Sequence, residues 1–169
     1  GLAIEDKAIS KQSQKYLYLV KNNSEHLLSL MNDLFDITKI SAKKIDLHIK
    51  MVNLKQVFDT IRKTYSHRLD ERGLNLKINI NENCPDLIST DDTRFKQIIM
   101  NLLANAIKFS NEGSKILINV NFVSKKLIVD LIDEGIGIDS NQHESIFKTF
   151  SQADNSHSRV HGGAGLGLS

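Results

Sequence analysis

The sequence is poor in the residues that build several specialised protein classes. Its 169 residues include one cysteine, Cys84, which excludes an internal disulfide framework and a zinc site with several cysteine ligands. It has one proline, Pro85, and no low-complexity tract, so no disordered linker is predicted. No apolar run approaches the roughly 18–20 residues that span a bilayer, and the first residues lack the shape of a signal peptide.

Net charge is also small. Lys and Arg number 22 against 20 Asp and Glu, for a formal net charge of +2. Nothing electrostatic therefore demands a polyanion, and we expect no nucleic-acid partner and no membrane contact within this chain. With 40% hydrophobic and 25% charged residues, the chain is typical of a soluble, folded protein with one ordinary domain, or a small domain with an appendage.

The segment up to about Ala42 is predicted to be helical. Apolar residues between Leu17 and Ile40 follow three-and-four spacing and spread over several sides of the helix. Residues 1–13 are predicted to be the end of an earlier helix and a connection. Because two helices make a poor core, we expect pairing with a second chain into a four-helix bundle. The alternative is a helix that packs on the following domain of its own chain.

The rest of the chain alternates between strand-like and helical periods. Between residues 45 and 132, five strands are predicted, at 45–51, 74–80, 87–89, 115–123 and 126–132. Two helices are predicted in the same range, at 54–72 and 90–110. The half-buried face of the first strand is expected to consist of Ile45, Leu47, Ile49 and Met51. Ser124 and Lys125 predict a tight hairpin. This order indicates an α+β fold in which helices cover one face of a sheet.

The helix predicted over 90–110 has an unusual polar side. Its buried stripe is expected to consist of Phe95, Ile98, Ile99, Leu102, Leu103, Ala106 and Ile107. A separate sector holds Arg94, Gln97, Asn101, Asn105 and Lys108. A merely solvated face would prefer better helix formers than asparagine. Two asparagines one turn apart with a lysine beyond them suit a metal-bound polyphosphate, because Mg²⁺ takes oxygen ligands and lysine screens phosphate charge.

Two glycine-containing segments follow this helix. Asp133 ends a predicted strand and leads into Gly135 and Gly137, where a carboxylate can accept a hydrogen bond from an amine and a flat ring can approach the backbone. Residues 162–168 form a glycine-rich loop whose N–H groups can bind phosphate, although the Lys-Ser/Thr of a P-loop is absent. Between them, a helix over 140–150 is predicted to bury Ile146, Phe147 and Phe150.

In combination these motifs resemble sensor histidine kinases, which use the GHKL ATP-binding fold. NLLANAIKFS resembles the N box of that family, DEGIGI the G1 box, IFKTFSQAD the F box and GGAGLGLS the G2 box. The segment LVKNNSEHLLSLMNDLFDITKISAKKI is similar to the second helix of the family's dimerisation and histidine-phosphotransfer domain, and FSQAD resembles the hybrid kinases that carry receiver domains. The resemblance implies a two-layer α/β sandwich of the GHKL type over residues 44–169, preceded by part of a helical dimerisation bundle over residues 1–43.

The resemblance also implies a site for ATP and Mg²⁺. Asn105 would hold Mg²⁺, Asn101 would assist at the phosphates and Lys108 would contact them. Asp133 would accept from the adenine amino group, between borders formed by Gly135 and Gly137. Residues 151–161 would form a lid that closes over the nucleotide, next to the remaining expected contacts Gly163, Gly165, Leu166 and Gly167. Three positions depart from the family pattern without removing a ligand: Asp92, Glu134 and Ala164.

The implied activity is transfer of the ATP γ-phosphoryl group to a histidine and then to an aspartate of a response regulator or an attached receiver domain. None of the six histidines fills the family's His-Glu-x-x-x-Pro acceptor pattern, because Ile80 lies five residues before Pro85. We expect that pattern just upstream of Gly1, and the closing helix and strands of the catalytic domain beyond Ser169. No catalytic residue is therefore assigned within the chain.

Such a core should dimerise through its N-terminal helices, bind ATP and turn it over poorly without its nucleophile. We expect it in the cytoplasm, whether or not the parent protein is anchored in a membrane. One alternative is a GHKL ATPase of the gyrase or chaperone type, which normally has a catalytic Glu where this chain has Asp91-Asp92-Thr93-Arg94. The other is a degenerate kinase-like scaffold that dimerises and binds nucleotide.

Overall fold

The structure, a computed structural model, describes residues 10–41 and 46–147. Residues 10–41 belong to one compact unit and residues 46–147 to another. Within the described part of the chain, no helix is both long enough and apolar enough to cross a bilayer.

The first unit contributes one helix, α1 (Lys11–Ser41). Ser10 begins it, because its carbonyl accepts from the Gln14 N–H at 2.9 Å and its hydroxyl accepts from the Ser13 N–H at 3.2 Å. The predicted helix is confirmed, but the connection predicted up to Ser13 is wrong over residues 11–13, which this serine cap makes helical. Among the α1 side chains that the structure describes, nine large apolar or aromatic ones are exposed: Tyr16, Tyr18, Leu19, Val20, Leu27, Leu28, Met31, Leu34 and Phe35.

The second unit is a mixed α/β structure. Its elements, in chain order, are β1 (Lys50–Asn53), α2 (Leu54–Glu71), β2 (Asn75–Ile80), β3 (Leu87–Thr90), α3 (Asp92–Phe109), β4 (Lys115–Val123), β5 (Lys126–Asp133) and a short 3₁₀ helix (Ser140–Gln142). Strands β2, β4 and β5 form a three-stranded sheet, in which β4 is parallel to β2 and antiparallel to β5. Strand β1 pairs with β3 in a separate antiparallel ribbon.

The core lies between the helices and one face of the sheet. Strand β4 supplies its centre, with Ile116, Ile118 and Val120 at most 1% exposed. The helices contribute the apolar positions that recur at helical spacing, namely Val57, Phe58, Ile61, Tyr65 and Leu69 from α2 and Ile99, Leu103, Ala106 and Ile107 from α3. The α+β fold class, with helices on one face of a sheet, is therefore confirmed.

The connection between β4 and β5 is the predicted tight hairpin. Its two residues, Ser124 and Lys125, both have positive φ, at 52° and 64°. That conformation is the one a two-residue type I′ turn requires. From this turn the pairing runs without interruption to Ile116 opposite Asp133.

The predicted face of the first strand is wrong. Strand β1 covers only Lys50–Asn53, and Leu47, Ile49 and Met51 are all more than half exposed. The residue that enters the core is Val52, which pairs with Ile88 of β3. Because side chains alternate along a strand, burial of Val52 turns Met51 outward. Ile45, the remaining member of the predicted face, lies outside the described residues.

Candidate functional site

Asp91 fixes the start of helix α3. Its carboxylate accepts from the backbone N–H groups of Thr93 at 2.9 Å and Arg94 at 3.1 Å, as a helix N-cap does. It also accepts from the His48 N–H at 2.9 Å, which ties the helix to the segment before β1. The hydrogen bond from Arg94, followed by that from His48, lowers the pKa of this carboxyl, while its burial opposes them. Asp91 thus confirms the predicted cap.

Asp92, one of the three departures from the family pattern, occupies the first turn of α3. Its carboxylate lies 2.8 Å from the Lys96 ammonium and 3.2 Å from that of Lys50 on β1. The hydrogen bond with Lys96 is the main cause that lowers the pKa of Asp92. An acid in a first turn also interacts favourably with the helix dipole. This departure therefore links α3 to the β1–β3 ribbon.

Helix α3 carries the predicted polar sector. Asn101, Asn105 and Lys108 are all half-buried, while Ile99 and Leu103 face the core. Ile98, predicted to be buried, is 58% exposed. It lies about 100° around the helix from Ile99 and close to the direction of Asn105, so the buried stripe is narrower than predicted.

Lys108 is a partly desolvated cation. Burial lowers the pKa of its ammonium. The same ammonium lies 4.7 Å from the centre of the Phe109 ring, within the range of a cation–π contact. Because a charge in a less polar setting interacts more strongly with an opposite charge, this position suits binding of an anion.

The turn after β5 needs two glycines for different reasons. A Cβ on Gly135 would lie 2.7 Å from the Phe109 carbonyl oxygen and 2.7 Å from Asp133 Oδ1, so no side chain fits. Gly137 has open space around it but a φ of +70°, which favours glycine. Asp133 itself is exposed, and its Oδ1 accepts from the Gly135 N–H at 2.9 Å. The Asp133 carboxylate is thus held beside the point where the backbone of Gly135 packs against that of Phe109.

The end of α3 and this turn are joined directly. Ser110 forms an isolated antiparallel bridge with Gly135, and the Ile136 N–H donates to the Phe109 carbonyl at 3.4 Å. The Asn111 side-chain amide donates to the Glu134 carbonyl at 3.3 Å. These contacts bring the last turn of the polar helix beside the Asp133 turn, and the sequence patterns did not predict them.

Two further side chains lie at this junction, those of Ser110 and Glu134. Ser110 is 3% exposed, and its hydroxyl has no hydrogen-bond partner among the described residues. Glu134, a departure from the kinase pattern, accepts from the Lys115 N–H at 3.1 Å. Its side chain therefore caps the start of β4.

The other predicted site residues lie outside the described part of the chain. These are Gly163, Gly165, Leu166 and Gly167, together with the proposed lid at 151–161 and Phe150. The helix predicted over 140–150 is wrong where it can be compared, since a 3₁₀ helix at Ser140–Gln142 is followed by turns to residue 147. Asp139 starts that short helix by accepting from the Asn141 N–H at 3.1 Å. Phe147, predicted to be core, is 62% exposed.

The donors present fit a phosphate-bound magnesium ion better than a metal held by the protein alone. Among the described residues, no group of three or more His, Cys, Asp or Glu could hold a metal. Mg²⁺ is commonly bound by one or two protein oxygens while substrate phosphates and waters complete the octahedron. The amide oxygen of Asn105 can supply such a ligand, next to the cation of Lys108 for the phosphates.

Comparison with known proteins gives consistent matches. Residues 90–169 match the family model described as histidine kinase-, DNA gyrase B- and HSP90-like ATPase. The chain is 33% identical over 167 residues to hybrid signal transduction histidine kinase L of Dictyostelium discoideum, covering 96% of this chain and 10% of that protein. It is 35% identical over 164 residues to the histidine-protein kinase BarA of Escherichia coli K12, covering 95% and 18% respectively.

A solved structure agrees along nearly the whole chain. Full-length ShkA in complex with AMPPNP superposes with a TM-score of 0.77 at 27% identity, over 95% of this chain and 33% of that one. The sequence thus spans about a tenth to a fifth of the curated relatives described above.

Proposed function

Because the chain belongs to the sensor histidine kinases, we propose that it binds Mg-ATP as the nucleotide-binding core of a two-component phosphorelay. The family predicted from its motifs is confirmed, and residues 90–169 match the model of its ATPase domain. The parent protein would transfer the γ-phosphoryl group to a histidine and then to an aspartate of a response regulator or of an attached receiver domain. The relatives named as hybrid kinases support the second step.

The observation that carries this proposal is the junction between α3 and the Asp133 turn. The Ser110–Gly135 bridge and the hydrogen bond from Ile136 to Phe109 hold the two motifs side by side. A ligand with a base at one end and phosphates at the other would reach both. We assign the base end to Asp133, whose other carboxylate oxygen would accept from the adenine amino group, between Gly135 and Gly137.

The phosphate end belongs to helix α3. Asn105 would hold Mg²⁺, Asn101 would assist at the phosphates, and Lys108 would donate to a phosphate oxygen from its partly desolvated position. When bound, the ion would offset phosphate charge and fix the phosphate conformation. Gly163, Gly165, Leu166 and Gly167 would donate backbone N–H groups, and residues 151–161 would cover the nucleotide and exclude water.

We assign residues 1–43 to the dimerisation region and residues 44–169 to the catalytic domain. Seven of the nine exposed apolar or aromatic side chains of α1 fall within an arc of about 120°, at 100° per residue. A stripe of that width is broader than a two-stranded seam and suits a four-helix bundle made with a second copy. Because ATP is the phosphoryl donor, the domain would work in the cytoplasm.

The proposal is tested by calorimetric titration of the chain with Mg-ADP and Mg-AMPPNP. Loss of the charged hydrogen bond in Asp133→Ala should weaken binding by about 10- to 100-fold. Asn105→Ala should weaken it and also reduce its dependence on Mg²⁺. Asp130→Ala, an exposed acid on the same strand, is the matched control and should bind as the wild type does.

Two results would count against the proposal. Equal affinities of the Asp133→Ala and Asp130→Ala variants would remove the assigned base contact. The complete parent protein, given Mg-ATP, should form an acid-labile phosphohistidine. Nucleotide binding without that product would instead support the kinase-like scaffold.

A further inference from the structure

Arg72 lies where two helices end. As the C-cap of α2, its N–H donates to the Leu69 carbonyl at 3.2 Å. Its own carbonyl accepts from the N–H of Gly113, in the turn after α3, at 3.2 Å. Gly73 follows with a φ of +61°, which lets the chain leave α2 at once. The backbone of Arg72 is therefore fixed from both sides.

The side chain of Arg72 reaches the C-terminus of α3. Nη1 donates to the carbonyls of Ile107 and Lys108, the latter at 2.9 Å, and Nη2 donates to the Ser110 carbonyl at 3.1 Å. The last carbonyls of a helix have no donor within the helix, and a cation there is favoured by the helix dipole. The planar guanidinium can serve several carbonyls at once, which an ammonium on a flexible stem does poorly.

We propose that Arg72 is a positioning residue for the nucleotide phosphates, an inference that rests on the proposed function. Its hydrogen bonds fix the peptide groups on both sides of Lys108 and thereby the point from which the ammonium extends. Among the described residues, this side chain reaches the phosphate contacts through the carbonyls on both sides of Lys108. Its remaining hydrogen bond, to the Ser110 carbonyl, lies at the Gly135 junction, which the Ile136–Phe109 and Asn111–Glu134 hydrogen bonds also hold. Its effect on binding should therefore pass through Lys108 and leave the base contact unchanged.

A double-mutant cycle tests this route. Arg72→Gln, Lys108→Met and the double variant are titrated with Mg-ADP by calorimetry and with adenosine by NMR. Lys108→Met should weaken ADP binding by about tenfold or more, as expected for loss of a charge-assisted hydrogen bond. Arg72→Gln should weaken it by roughly threefold or more, yet have little further effect in the Lys108→Met background.

Two controls separate positioning from general destabilisation. Adenosine affinity of Arg72→Gln should stay within about twofold of the wild type, because adenosine lacks the phosphates that Lys108 serves. Arg62→Gln, an exposed arginine on the same helix, should leave both affinities unchanged. Arg72→Lys retains a cation near the carbonyls and should recover part of the lost ADP affinity. It replaces Arg72→Gln in the cycle if the latter melts below the assay temperature.

The outcomes are distinct. The positioning role would be overturned if the fold loss of ADP affinity in the double variant equalled the product of the losses in the two single variants. Equal losses of ADP and adenosine affinity in Arg72→Gln would overturn it as well. A wild-type chain that is folded but binds no nucleotide would overturn the proposed function and this inference with it. If the wild type binds nucleotide and Arg72→Gln binds ADP equally well, this inference alone would be overturned.

Discussion

Replacement of Gly135 by alanine should damage both folding and nucleotide binding. The added Cβ would lie 2.7 Å from the Phe109 carbonyl oxygen and 2.7 Å from Asp133 Oδ1. Carbon and carbonyl oxygen normally approach to about 3.3–3.6 Å, so the end of α3 and the turn after β5 must separate by roughly 0.6–0.9 Å at this point. The carboxylate can rotate away, but the carbonyl belongs to the backbone that ends α3.

The size of the expected destabilisation follows from the contacts that must move. Overpacking of this kind typically destabilises a protein by about 1–3 kcal/mol. At roughly 2–4 °C per kcal/mol for a chain of this length, Tm should fall by about 2–12 °C. The separation also lengthens the hydrogen bond from Ile136 to Phe109, already 3.4 Å, and rotates the Asp133 carboxylate. Nucleotide affinity should therefore fall together with stability.

The assay pairs thermal melting with Mg-ADP titration of folded protein. Ile61→Val is the control, because Ile61 is fully buried in α2 and loss of one methylene there costs about 0.5–1.5 kcal/mol. That variant should melt earlier and bind normally. A Gly135→Ala variant with wild-type Tm and wild-type affinity would show that the close approach at Gly135 is absent in solution.

Three further results are expected. Because burial lowers the pKa of Lys108, its ammonium loses its proton at lower pH than that of an exposed lysine, so ADP affinity should fall as pH rises into the alkaline range. In titrations over a pH series, the Lys108→Arg variant should not show that fall, because arginine keeps its charge. The same fall in the variant would contradict the assignment of Lys108. Ser124 and Lys125 both have positive φ, a conformation that Asn-Gly adopts at lower cost. The double change Ser124→Asn and Lys125→Gly should therefore raise the free energy of unfolding, measured by urea denaturation, by roughly 1 kcal/mol. A lower free energy of unfolding would contradict this prediction. The Asp91→Ala variant should have a lower Tm than the wild type at pH 7. The difference should narrow as pH falls through the lowered pKa of Asp91, since the stabilising charge is present above the unfolded pKa and lost below the folded one. A constant difference between pH 7 and pH 3 would show that the charge of Asp91 does not stabilise the fold.

Local sequence signals predicted the elements of the second unit well. The Asp91 cap, the end of α2 at Gly73 and the Ser124–Lys125 hairpin each depend on residues within one turn, and each is present. The prediction failed where periodicity alone had to decide which side faces the core. Leu47, Ile49 and Met51 alternate as a buried face does, but only the pairing of β1 with β3 turns Val52 inward instead.

The candidate site shows the same division. The placement of Asn105, Lys108, Asp133 and Gly135 could be predicted from motifs, because short spacings put them on one helix and one turn; their roles in binding stay predictions. Arg72 could not, since its side chain meets carbonyls 35 to 38 residues away and no local pattern marks it. The only sequence sign is a basic residue at a predicted helix end, which is common for reasons unrelated to ligands.

The two-residue hairpin also determines on which face Asp133 lies. Counting from Val123 paired with Lys126, each step of the β4–β5 ladder leads to Asp133 opposite Ile116, about 24 Å along the strand. An inserted residue in the turn would be absorbed either as a bulge or as a shift of the whole strand. A shift by one position would send the Asp133 carboxylate to the opposite side of the sheet, away from the end of α3. The length of a loop remote from the candidate site is thus a condition for that site to form.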